Sequence, residues 1–179
     1  MRTTPRKPPT RAAHTARPAQ TRPVTASYLR NAALHYLSAR SASAAMVRAT
    51  LLRRAKRRLD VRSLAEEDLA LIDGVIGDLV GLGLIDDASF AGARARTLAG
   101  RGLSRRRITD GLALKGISGE LAAGAIDPAL DELTQARLLV RRRRLGSDPA
   151  RRDRDLRILA RAGFGYAIAV KALAGCDED

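Results

Sequence analysis

Leu69, Ile72, Ile76 and Leu79 recur every three or four residues, the spacing of one apolar face on a helix. Gly81 and Gly83 interrupt that run, and Asp86-Asp87 follows before the next apolar period. The stretch therefore predicts a helix, a tight corner and a second helix, with Leu84 and Ile85 held in a core and Asp87 as N-cap. Upstream, Thr25 opens a helix with Leu29, Ala33, Tyr36 and Leu37 on one face. Ser41 or Ser43 caps a second helix that carries Val47, Leu51 and Leu52 and ends in Arg53 to Arg58. Glu66-Glu67-Asp68 starts a third, where the helix dipole favours acids.

The pattern then repeats. A constant shift lays Leu29 on Phe90, Leu37 on Leu98, Arg40 on Arg101, Ser43 on Ser104, Val47 on Ile108, Leu51 on Leu112 and Arg54 on Lys115. A second shift lays Leu98 on Leu145, Leu112 on Leu159, Gly116 on Gly163, Ile117 on Phe164 and Ile126 on Leu173. Apolar positions meet apolar ones, caps meet caps and bases meet bases. Leu114-Lys115-Gly116-Ile117 and Arg161-Ala162-Gly163-Phe164 share one helix ending, with glycine at C′ and an apolar residue closing the cap. No run of alternating β-branched residues predicts a strand. The expected fold is all-α: three tandem three-helix repeats forming an elongated, curved molecule.

Composition sharpens this. There is no tryptophan, and only two phenylalanines and three tyrosines, so the core must be built from Leu, Ile, Val and Ala. The formal charge of +14 draws nucleic acid, an anionic membrane or an acidic protein surface. Arginine far outnumbers lysine; a GC-rich genome accounts for that choice of base, not for the excess of base over acid. Residues 1–23 hold six bases, five prolines and no acid, and read as a disordered basic arm, either a solubilising tail or a loose attractor of phosphate. Cys176 is the single cysteine, so no intramolecular disulfide and no cysteine metal cluster is expected, which fits a reducing cytoplasm. No apolar run is long enough to span a membrane.

A search for chemistry finds no phosphate loop, no paired histidines and no Ser/His/Asp grouping; His14 and His35 stand apart. No catalytic residue, metal or cofactor is predicted. What remains is displayed arginine. Arg105, Arg106 and Arg107 open one helix, and Arg106 lies opposite Ile108 and Leu112. With Leu138 and Leu145 inward, Arg143 and Arg144 point outward, flanked by Arg141 and Arg142. Arg96 turns away from Phe90, whereas Arg94 reads as a structural base with a packed stem. Arg101 and Lys115 complete the candidates for binding. Without aromatic residues beside these clusters, DNA affinity should be weak, phosphate-led and indifferent to sequence.

Taken together, these residues resemble the RecX family of recombinase regulators. The corner Gly83 to Ala91 (Gly-Leu-Ile-Asp-Asp-x-x-Phe-Ala, with Gly83, Asp86, Asp87 and Phe90), the Lys115-Gly116-Ile117 close and Gly163-Phe164 carry the likeness, which spans roughly residues 25–174. The first repeat departs from it, with Arg54-Ala55 in place of a basic-Gly pair and Ala44-Ala45-Met46 in place of a Glu-Leu pair. The resemblance implies three tandem three-helix repeats, docking in the groove of the RecA–DNA filament, and restraint of recombination and repair without catalysis. The expected organisation is a basic arm (1–23), repeat 1 (24–87), repeat 2 (88–128), and repeat 3 with a short acidic end (129–179), acting as a cytoplasmic monomer. Two other readings stand beside it: a basic helical protein binding nucleic acid without RecA, and a helical scaffold for another acidic partner.

Overall fold

In the computed structural model, which describes residues 23–175, side chains cap six of nine α-helices. Thr25 opens α1 (Ala26–Ser38) by accepting from Tyr28 N, and Ser43 opens α2 (Ala44–Leu59) by accepting from Met46 N. Of the two serines offered for α2, Ser43 is the cap. Asp86, Ser104, Ser118 and Asp131 do the same for α4 (Asp87–Ala99), α5 (Arg105–Ala113), α6 (Gly119–Ala125) and α7 (Glu132–Arg143). The helix α3 (Glu66–Gly81) has no side-chain cap but carries Glu66, Glu67 and Asp68 in its first turn, where their charge suits the dipole. A single 3₁₀ turn, Pro149–Arg151, leads into α8 (Arg152–Arg161), and α9 (Tyr166–Ala174) ends the described chain.

Five helices close in one way. After each, a residue with positive φ is followed by an N–H that reaches back five positions: Val61 to Lys56, Leu84 to Leu79, Ile117 to Leu112, Leu145 to Val140 and Phe164 to Leu159. In three of the five closings the apolar residue, Ile117, Leu145 or Phe164, drops into a core.

The helices pack in threes, and among the described residues there is no strand. The group α1–α3 closes around Leu29, Val47, Leu51, Ile72 and Leu79, all fully buried. Ile108, Leu112 and Ala122 are central to α4–α6, and Val140, Leu159 and Ala172 to α7–α9. Leu103 packs against both the second and the third cores.

Three local expectations change. Asp86, not Asp87, caps α4; its carboxylate accepts from both the backbone N–H and the hydroxyl of Ser89. Leu84 is 49% exposed while Ile85 is 2% exposed. The chain reverses at Gly83, so only one of two consecutive residues can face inward. In α7 the core positions are Ala136, Leu139 and Val140, with Leu138 only half-buried, so the apolar face is turned by about one residue from the reading above.

Successive three-helix groups meet at two joints of one design. At the first, Ser43 Oγ donates to Lys115 O at 2.5 Å and Ala44 N donates to Asp87 Oδ1 at 2.8 Å. At the second, Ser104 N donates to Ala162 O at 3.2 Å and Arg105 N donates to Glu132 Oε1 at 2.7 Å. In each case the N-terminus of the second helix of one group is bonded by two features of the next. One is the carbonyl just before a C′ glycine; the other is the acid that follows a helix N-cap. The glycines are obligatory for a steric reason. A Cβ on Gly116 would overlap Ala45, and one on Gly163 would overlap Ser104 Oγ. Among the described residues no group precedes the first, so nothing presses on the matching position there. Ala55 is instead buried within α2, which continues to Leu59.

This separates two kinds of glycine. Gly83 has φ +68° with nothing near its missing Cβ, so Gly83→Ala should cost only the left-handed backbone penalty, about 1 kcal/mol. Gly163→Ala adds the overlap with Ser104 and should cost about 2 kcal/mol or more. Urea denaturation of both variants checks this; equal losses would contradict the joint.

Candidate nucleic-acid interface

The first group pairs two of its arginines with acids. Arg30 pairs with Asp78 at 2.9 Å and Arg48 with Asp73 at 2.6 Å, both acids coming from α3. Arg58 donates to Pro23 O at 3.0 Å and lies 4.1 Å over the Tyr28 ring, while Arg40 covers Tyr36 at 5.4 Å. Tyr166, 75% exposed at the start of α9, has no such cover among the described residues. The hydrogen bond from Arg48 holds the Asp73 carboxyl below its ordinary range.

In the second and third groups several acids serve the backbone instead. Asp86 and Asp131 cap their own helices, and Asp87 and Glu132 bind the preceding group. The backbone N–H of Ser89 is the main reason that Asp86 titrates low, and that of Thr134 does the same for Asp131. Many of their arginines face outward.

The candidate bases divide on inspection. Arg105 is half-buried, and its Nη2 donates to the carbonyls of Asp127, Pro128 and Leu130 at 3.1–3.3 Å. It straps the link between α6 and α7 and is not free to bind. Arg142, although exposed, donates to Gly100 O at 2.5 Å across the second joint. Lys115 is half-buried and lends its carbonyl to Ser43. Arg96, Arg101, Arg106, Arg107, Arg141, Arg143 and Arg144 are exposed, with no acid in ion-pair reach among the described residues. Arg96 stands at the rim of an apolar hollow of about 180 Å³ formed with Ile108 and Ile126. Arg94 is half-buried, and its Nε is buried without a hydrogen-bond partner.

Of the residues with the family-motif pattern, Phe90 is half-buried against the second core and Phe164 is buried in the third. Gly83, Asp86, Asp87, Gly116 and Gly163 are the turn, cap and joint residues already described. The basic arm, His14 and Cys176 lie outside the described residues.

Arg143 and Arg144 share a cleft of about 270 Å³ with Arg151 and Arg154, which sequence reasoning missed. The alternation Arg152-Asp153-Arg154-Asp155 carries no net charge in sequence. The available signal was Asp155, four residues before the core residue Leu159 and hence on the inward face. Among the described residues, no group of three or more His, Cys, Asp or Glu side chains could hold a metal. Nor is any helix among them long and apolar enough to cross a membrane.

Fold and surface together define a class: a chain of jointed three-helix units whose later members present unpaired guanidinium groups. Known proteins of this build agree. Residues 86–126 match the family model of RecX, second three-helix domain. The Regulatory protein RecX of Myxococcus xanthus (strain DK1622) is 36% identical over 167 residues, covering 87% of this chain and 89% of its own. That of Agrobacterium fabrum (strain C58) is 27% identical over 159 residues, covering 86% and 85%. The crystal structure of RecX from Lactobacillus salivarius superposes with a TM-score of 0.60 at 26% identity, covering 85% of this chain and 96% of that one. The chain belongs to the RecX family of regulatory proteins.

Two outcomes follow from the local chemistry. Arg105→Ala should lower stability by about 1–2 kcal/mol, because three carbonyls of the α6–α7 link lose a charged donor, while Arg106→Ala should be nearly neutral; thermal melts of the pair check this. Asp73, Asp86 and Asp131 all titrate below their ordinary value of 3.8, so the stability they add is complete above that value and is lost as pH falls through their lower folded values. Replacing all three by Asn should flatten the acid limb of a stability–pH profile below about pH 4; an unchanged limb would contradict these contacts.

Proposed function

We propose that the protein regulates a RecA recombinase, most simply by inhibition, by lying along the RecA–DNA filament with the basic faces of its second and third units toward it. The observation that carries the reading is a RecX-family chain whose second and third units expose Arg96, Arg101, Arg106, Arg107, Arg141, Arg143 and Arg144 with no ion-pair partner among the described residues, while Arg30 and Arg48 of the first unit are paired with acids of α3. Joints of fixed geometry suit this role. Arginines on helices are already ordered, so less freedom is lost when they meet a long repeating surface. Guanidinium groups bind phosphate or carboxylate through paired donors, which serves DNA and protein alike. No chemistry is required: occupation of the groove, or weakening of filament ends, suffices. The site of action is the cytoplasm and the acting species a monomer. DNA alone is held weakly through phosphate, without regard to sequence.

The test is a titration of RecA ATPase and strand exchange on single-stranded DNA. Arg106→Glu/Arg107→Glu should keep the fold and lose regulation, by roughly 2–5 kcal/mol of interface energy where those charges are buried on docking. Removing residues 1–22, which spares the Pro23 carbonyl held by Arg58, should weaken binding to bare DNA and leave regulation largely in place. Regulation abolished by the truncation yet untouched by the reversal would favour a basic nucleic-acid binder whose helical units are only a scaffold.

A further inference from the structure

We propose that the cleft between the end of α7 and the start of α8 is a binding site for one phosphodiester group of the DNA backbone. The proposal deepens the reading above, and rests on it, by naming where the third unit grips DNA. The cleft, of about 270 Å³, is bounded by Arg143, Arg144, Arg151 and Arg154 together with Asp148 and Asp155. Its two acids are occupied. Asp155 is 6% exposed and takes Gly146 N at 2.8 Å. Asp148 takes Ala150 N at 3.0 Å and pairs with Arg151 at 3.2 Å. Arg143, Arg144 and Arg154 are exposed and have no carboxylate partner among the described residues.

The backbone supplies a second, independent observation. Arg144 has φ 50° and ψ 50°, at the position occupied in the closings of α3, α5 and α8 by Gly83, Gly116 and Gly163 and in that of α2 by Asp60, a short polar side chain that tolerates this conformation. Glycine fits that conformation without strain, and a long side chain does not. An arginine stands there nonetheless, with Leu145 behind it anchored in the core and Leu145 N bonded to Val140 O at 3.0 Å. The turn therefore presents a guanidinium at a conformational cost that the fold itself does not need. Three unpaired guanidinium groups arriving from a helix end, a turn and a second helix suit an anion with oxygens in several directions. A planar carboxylate would be satisfied by a single fork.

The test compares wild type with Arg144→Gly and Arg154→Gln, using Arg62→Gln as a control; it removes one exposed charge from the α2–α3 connection. Binding of fluorescein-labelled oligothymidylate is measured against salt concentration. Arg144→Gly should melt no lower than wild type, since it relieves the backbone. It should nevertheless bind roughly tenfold more weakly and lower the salt slope by about 0.7, the release expected from one single-strand phosphate. Arg154→Gln should behave alike in binding, and Arg62→Gln should keep the wild-type slope. Inorganic phosphate at constant ionic strength should raise the melting temperature of wild type but not of Arg144→Gly.

An unchanged slope in both cleft variants overturns the assignment. A phosphate-dependent melting shift with an unchanged slope overturns it in favour of a site for free phosphate. Loss of RecA regulation with an unchanged oligothymidylate slope overturns it in favour of contacts to protein carboxylates, leaving the proposed function standing. If instead the slope falls as expected and wild type has no effect on RecA, the cleft stands and the proposed function fails.

Discussion

The contact on which the rest depends is the seat of one helix N-terminus on the next unit's glycine. A helix start leaves several N–H groups without partners inside the helix. Here the first of them is answered from outside the unit, by Asp87 at α2 and by Glu132 at α5. Because the donor belongs to one unit and the acceptor to the next, satisfying the helix end also fixes the neighbour. Gly116 and Gly163 let the two backbones approach closely enough for Lys115 O and Ala162 O to take part. A hydrogen-bonding requirement of each helix is thereby turned into the assembly rule of the chain.

The rule also explains how charge is distributed. Acids of the second and third units sit at helix starts, where their task is with backbone N–H groups. Their carboxylates are engaged by those N–H groups, and arginines such as Arg106, Arg107, Arg141 and Arg143 have no ion-pair partner among the described residues. In the first unit, α3 supplies Asp73 and Asp78 as ion-pair partners for Arg48 and Arg30. Exposed pairs of this kind contribute little to stability. Their larger effect is on which faces attract an anion.

Much of this was legible in the sequence because it is local. Helical periodicity placed Leu29, Ile72, Ile108 and Leu112 in cores, and the glycines at 83, 116 and 163 marked helix ends. The repeat register followed from caps matching caps. Contacts made at a distance were not legible. Nothing near Asp87 announces that it serves Ala44 rather than its own helix, since its role depends on a residue 43 positions away. Arg105 and Arg106 look equivalent in a run of three arginines. Only the return of the α6–α7 link places three carbonyls before the first and solvent before the second. Leu84 and Leu138 were misjudged for a related reason: apolar character says that a residue tolerates burial, while the turn or helix phase decides which neighbour receives it. The Arg143–Arg154 cleft was hidden because Asp155 looks like a neutralising surface acid and is buried beneath the turn.

The central claim is that the joint, more than contact between apolar cores, holds one unit in place on the next. It is tested most directly by pulsed electron–electron spin resonance between labels at the exposed Ala49 and Ala123, each introduced as cysteine in a Cys176→Ser background. The first label lies on α2 and the second on α6, either side of the first joint. The account predicts one narrow distance distribution in the otherwise unaltered chain. It predicts a markedly broader one in Asp87→Lys, which removes the bond to Ala44 and sets a base against the positive end of α2, with helicity by circular dichroism unchanged. A distribution equally narrow in Asp87→Lys, or equally broad in both proteins, would contradict it.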